Sequence, residues 1–88
     1  MFITDPGFME EIQKCFIKEK KETVRSGDLF LNYFLKNCTS DGILFMTIKE
    51  MTAELKIPYQ DLITVLRILE KRQIIYRRNG ITALRKLN

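Results

Sequence analysis

The sequence predicts a mainly α chain with a small antiparallel sheet, an α+β arrangement. Three observations predict it. Apolar residues recur at helical spacing in four separate stretches, a capping-box signature stands at Thr47-Ile48-Lys49-Glu50, and two short strand-like segments flank an Asn79-Gly80 dipeptide. At 88 residues the chain fits one compact domain with a modest core.

The first stretch, Asp5 to Arg25, carries Phe8, Ile12, Cys15 and Phe16 at helical spacing. Asp5 suits an N-cap and Pro6 the first helical position, where a missing N–H costs nothing. Offset charges from Lys18 to Glu22 support a solvated side. The apolar stripe needs a cover, either the rest of the domain or a second copy of the chain; both alternatives stay open. Ser26-Gly27 interrupts the pattern, which sets residues 1–27 apart as a leading amphipathic helix, and as a dimerisation segment under the second alternative. Residues 28–88 form the domain that follows it. There Asp28 suits the cap of a second helix whose Leu31, Phe34, Leu35 and Cys38 lie three or four residues apart. The turn Thr39-Ser40-Asp41-Gly42 ends it, and Ile43-Leu44-Phe45 is a short strand.

At Thr47 and Glu50 the hydroxyl and the carboxylate satisfy backbone N–H groups that a helix start leaves orphaned, with Met46 and Met51 placed to staple the entry. This helix buries Ile48, Met51 and Leu55, runs about three turns and stops before Pro58, because the residue preceding a proline is pushed out of the helical region. Pro58 then opens another helix, 58–72. Its Leu62, Val65, Leu66 and Leu69 follow the i, i+3, i+4, i+7 pattern, which leaves Tyr59, Gln60, Ile63, Thr64, Arg67 and Lys71 facing outward. Finally Ile74 to Arg78 and Ile81 to Leu87 read as two strands joined by a two-residue type I′ turn. With Asn79-Gly80 as the loop, Arg78 opposes Ile81, Arg77 opposes Thr82 and Ile75 opposes Leu84, so the arginines cluster at the tip.

Composition narrows the function. Net charge is +4 and it is one-sided: Phe45 to Asn88 holds nine Lys and Arg against four Asp and Glu, whereas Met1 to Leu44 holds six against seven. A one-sided positive field attracts polyanions, of which duplex DNA is the densest common one. No apolar run approaches the roughly 20 residues that cross a bilayer, and Met1 to Gly7 lacks the basic and apolar regions of a signal peptide. A cytoplasmic protein without membrane association is expected. Cys15 and Cys38 stand alone and the chain has no His, which excludes zinc on ligand grounds. Without a His, a paired-carboxylate cleft, a Gly-rich phosphate loop or a Cys beside a base, neither an enzyme nor a cofactor is expected.

The order helix, helix, strand, helix, tight turn, helix, hairpin is that of a winged helix-turn-helix preceded by an amphipathic helix. Helix 58–72 then fits a major groove about 12 Å wide, with the basic wing, 76–82, on the backbone. Gln60 suits adenine, Arg67 guanine or phosphate, Ile63 a thymine methyl, Thr64 either donor or acceptor, and Tyr59 a sugar or phosphate. Thr47, Lys49, Lys71, Arg77 and Arg78 are the expected backbone contacts, which hold register without reading sequence.

Thr47-Ile48-Lys49-Glu50-Met51-Thr52-Ala53-Glu54-Leu55-Lys56-Ile57-Pro58 through Val65-Leu66-Arg67-Ile68-Leu69-Glu70-Lys71-Arg72-Gln73-Ile74-Ile75 resembles the DNA-binding domain of cyclic-AMP receptor protein/Fnr (Crp/Fnr-like) transcription regulators. Gly80-Ile81-Thr82-Ala83-Leu84 through Leu87 is similar to their wing strand. The resemblance covers roughly Asp28 to Asn88. It implies double-stranded DNA as partner, bacterial transcription regulation, and a homodimer in which the leading helix is the tail of the family's dimerisation helix. The family's reading helix usually begins Ser-Arg-Glu with a further Arg four residues after the first. Pro58, Tyr59, Gln60 and, for the later Arg, Ile63 or by a one-residue displacement Thr64 occupy those places here, so the family's base preference does not carry over. The family's sensor barrel has no counterpart in the residues before Asp28, so no small-molecule ligand is expected in this chain. The alternative function is a protein-interaction module on the same scaffold, docking through Tyr59, Ile63 and their neighbours.

Overall fold

The computed structural model of the chain describes residues 6–85. Among them the order is α1 (Pro6–Lys14), α2 (Lys21–Asn37), β1 (Ile43–Leu44), α3 (Ile48–Leu55), α4 (Tyr59–Lys71), β2 (Ile75–Arg78) and β3 (Ile81–Leu84). The fold is mainly α with a small antiparallel sheet, as the patterning predicts. Asp5, expected to cap the first helix, the side chain of Phe8, and Lys86 and Leu87, expected to end the last strand, lie outside the described residues.

The first helix ends earlier than expected. After Lys14 the chain tightens through i→i−3 bonds, from Cys15 N–H to Ile12 O at 3.0 Å and from Phe16 N–H to Gln13 O at 3.1 Å. Ser26-Gly27 is not a break, because α2 runs straight through both. Gly27 serves close approach instead: a Cβ there would stand 3.2 Å from Cζ of Phe16, whose ring lies over it. Phe16, Ile12 and Cys15 are buried in the common core with Phe30, Phe34, Met51 and Leu66. Of the two covers open to the leading stripe, the rest of the domain is the one present. Cys15 donates its thiol to Glu11 O at 3.8 Å; burial pushes its pKa up, against a smaller opposing effect of the Arg72 charge.

Phe30 and Phe34 stack one helical turn apart with ring centroids 5.7 Å apart and tilted by 45°, a favourable aromatic geometry. Each fully buried side chain of this size stabilises by roughly 1.5–3 kcal/mol. The capping box at α3 is complete: Glu50 N–H donates to Thr47 Oγ1 at 3.1 Å and Thr47 N–H to Glu50 Oε1 at 2.8 Å. The helix itself is eight residues, nearer two turns than three. Tyr33 donates its hydroxyl to the Met46 sulfur at 3.2 Å and so ties the approach to α3 onto α2. At the far end of α4, Gln73 N–H bonds Glu70 O and Ile74 N–H bonds Leu69 O, both at 2.9 Å. That pair is a Schellman motif, which satisfies the helix's last carbonyls and turns the chain into β2.

The sheet order is β1-β3-β2, antiparallel throughout. The hairpin register is the expected one, Ile75 with Leu84, Arg77 with Thr82 and Arg78 with Ile81. Its turn type differs. Gly80 takes φ +71° while Asn79 is not among the residues with positive φ, as a type II turn requires; type I′ needs positive φ at both. No helix among the described residues is long and apolar enough to cross a membrane.

Candidate nucleic-acid interface

On α4 the core is filled by Leu62, Val65, Leu66 and Leu69, as the apolar spacing predicts. On the other side Gln60, Thr64, Arg67 and Lys71 are all exposed. Their spacing of four, three and four residues aligns them in one stripe along three turns. Thr64 donates its hydroxyl to Gln60 O at 2.9 Å, which fixes its rotamer and leaves its oxygen free to accept. Tyr59, 56% exposed, stands at the start of the helix.

Ile63 does not join them. It is 8% exposed and therefore cannot offer a methyl surface to a base. At about 100° per residue, Ile63 lies about 60° from Leu66 on the helix wheel, so it widens the buried arc by one seat. The expected thymine contact by Ile63 is corrected to a packing role.

The two arginines of the hairpin also separate. Side chains alternate along a strand, so Arg77 shares the inward face with buried Ile75 while Arg78 shares the outward face with Tyr76. Arg77 Nη2 donates to Glu70 Oε1 at 2.8 Å, with the two side chains 22% and 33% exposed. Its Nε is buried without a partner. Arg77 therefore braces the hairpin against the end of α4, which corrects the expectation that it stands free for a phosphate. Arg78 alone is the exposed arginine of the tip. Glu70 is the residue the sequence reading missed. The signal was present: period two from inward-facing Ile75 selects Arg77, and an inward arginine needs a carboxylate.

The hairpin tip, Arg78 to Ile81, lies across an open cleft from Met46, Thr47 and Ile48 at the start of α3. Thr47, Arg77 and Arg78 are thus brought to one cleft, and Lys49 is exposed on the adjoining first turn of α3. Thr47 is engaged in the capping box but keeps its hydroxyl proton for donation. The second cluster is the α4 stripe, where Gln60, Thr64, Arg67 and Lys71 stand without a carboxylate among them.

Compared with family models, with curated proteins and with solved structures, the chain matches none of them.

Proposed function

We propose that the chain binds double-stranded DNA as a winged helix-turn-helix module of a bacterial transcription regulator, acting in the cytoplasm. The observation that carries this reading is the exposed, carboxylate-free stripe Gln60, Thr64, Arg67 and Lys71 on α4. A thirteen-residue helix is about 20 Å long at 1.5 Å per residue, enough to lie in a major groove. Gln60 offers the bidentate amide that pairs with adenine, Arg67 the fork that pairs with guanine, and Thr64 an adaptable oxygen. Tyr59 reaches sugar or phosphate beside them. Lys49, Lys71 and Arg78 supply charge to phosphates, with Thr47 and the first N–H groups of α3 as neutral donors. Arg77 serves indirectly, by holding the wing. No catalysis and no cofactor is assigned to the chain.

The protein-docking alternative draws on Tyr59, Ile63 and their neighbours; with Ile63 buried, Tyr59 is the exposed apolar group that remains of the named pair. Ile12, Cys15 and Phe16 are spent inside the domain, so a homodimer through the leading segment would draw on its remaining surface, where Ile17 is 73% exposed.

Titrating a labelled duplex library at several salt concentrations tests the reading. Three cationic phosphate contacts give a log–log slope near −2.7, so affinity falls about 40-fold between about 50 and 200 mM salt. Absence of duplex binding near 50 mM, also in a covalently linked dimer that compensates a weak half-site, rejects it.

A further inference from the structure

The three strands have a second face, of which the duplex reading uses Arg78 alone. Antiparallel partners share a face, and the registers put Leu44, Thr82, Leu84, Ile75 and Arg77 on the inner one, where all but Arg77 are fully buried. The outer one carries Ile43, Ala83 and Tyr76 in one row and Ile81 and Arg78 in the next. The same alternation adds Phe45, one residue beyond β1, and Arg85, one beyond β3, whose N–H still bonds Ile74 O at 2.8 Å. Phe45 is 64% exposed and Tyr76 38%, and Arg78 and Arg85 are exposed beside them. No Asp or Glu occurs from Ile43 to Lys49 or from Lys71 to Arg85.

β1 and β2 flank β3, so Phe45 and Tyr76 stand on strands about 10 Å apart. The register carries Phe45 opposite half-buried Ile81, in the row of Arg78, while Tyr76 pairs with buried Ala83, so Ile81 and Ala83 of the central strand lie between the two rings. Two rings thus flank an apolar stretch of the central strand, and Arg78 and Arg85 share the face with them. Aromatic rings capture bases by stacking only where base faces are bare, as in single strands; a duplex keeps its base faces stacked inside. Guanidiniums beside the rings take the phosphates between successive bases.

We propose that this outer face of the sheet binds single-stranded nucleic acid, with Tyr76 and Phe45 stacking on bases and Arg78 and Arg85 neutralising the backbone. Recognition is tolerant of sequence, because every base has a face to stack. The site does not depend on α4 touching duplex, and the two can be tested apart.

The test is fluorescence anisotropy with a labelled oligothymidine of about 12 nucleotides, within the footprint of known stacking platforms, run beside a duplex of mixed sequence. Tyr76→Ala and Phe45→Ala are each expected to weaken oligothymidine binding about fivefold or more, with duplex affinity unchanged. Tyr76→Phe, which keeps the ring, is expected to bind nearly as the natural chain does, and Arg67→Ala to weaken duplex binding alone. Amide shifts of the natural chain on adding oligothymidine, free of any folding defect in a variant, are expected at Phe45, Tyr76, Ile81 and Ala83. Any of four results overturns the proposal: no oligothymidine binding by the natural chain near about 50 mM salt, where phosphate contacts are strong; full binding by Tyr76→Ala and Phe45→Ala; shifts confined to α4; or a dimer that Tyr76→Ala dissociates, which assigns the face to a second copy.

Discussion

Ile63 and Arg67 sit one turn apart on α4, yet one is 8% exposed and the other is open to solvent. Their substitutions therefore report different quantities. Ile63→Ala removes a packed side chain and is expected to cost about 2–4 kcal/mol, as buried isoleucines do. Urea denaturation checks this, and a variant with an unshifted midpoint contradicts the packing role. Arg67→Ala is expected to stay within about 0.5 kcal/mol of the natural chain in the same experiment, because nothing buried is lost. Its effect belongs to binding, where affinity falls and preference among duplex sequences changes. The spacing of apolar residues made Leu62, Val65, Leu66 and Leu69 legible as core but put Ile63 on the wrong side. A four-seat template defines the centre of a buried arc; how wide the arc becomes depends on what lies alongside the helix, which the helix's own sequence does not contain.

Two devices join α4 to the hairpin, and each makes its own prediction. The Schellman turn places Gln73 at φ +61°, a left-handed conformation that costs a side chain about 1 kcal/mol or more and costs glycine nothing. Gln73→Gly is therefore expected to stabilise the chain by up to about 1 kcal/mol, read as a raised melting temperature; a lowered one means that the Gln73 side chain makes a contact worth more than the strain. The second device is the Glu70–Arg77 pair, 2.8 Å long and mostly shielded from water. Arg77→Ala strands the Glu70 carboxylate and is expected to cost about 1 kcal/mol of stability, with the slope of duplex binding against salt unchanged. Arg78→Ala is expected to do the converse, leaving stability alone and reducing that slope by about one. Equal effects of the two substitutions on the slope contradict the division of labour between them. The hairpin register was fully readable from Asn79-Gly80, since a two-residue loop leaves one pairing that keeps Ile75 and Leu84 on one face. Turn type was not, because Asn79 is free to adopt either sign of φ and the strands on either side decide. That Arg77 and Arg78 part company follows from the same alternation, once α4 is known to end beside the strand.

At the scale of the whole molecule, the leading helix belongs to the one core. A boundary at Ser26-Gly27 was the natural inference from composition, since glycine and serine usually punctuate helices. Gly27 instead answers to Phe16, eleven residues earlier, whose ring needs the space a Cβ would take. Such long-range demands leave no local mark, whereas capping boxes and hairpin loops do. The consequence is energetic. A chain of this size is stable by about 5–15 kcal/mol at most, and burying Ile12, Cys15 and Phe16 contributes a large part of that at roughly 1.5–3 kcal/mol for each larger side chain. Residues 21–88 alone are therefore expected to lose cooperative thermal unfolding, or to melt tens of degrees lower, as seen by circular dichroism and by collapse of amide chemical-shift dispersion. Phe16→Ala in the full chain is expected to cost about 3–5 kcal/mol, a smaller change of the same sign. If residues 21–88 melt as sharply and at the same temperature as the full chain, α1 is an appendage whose apolar side is free for a second subunit, and the homodimer implied by the family resemblance regains its surface.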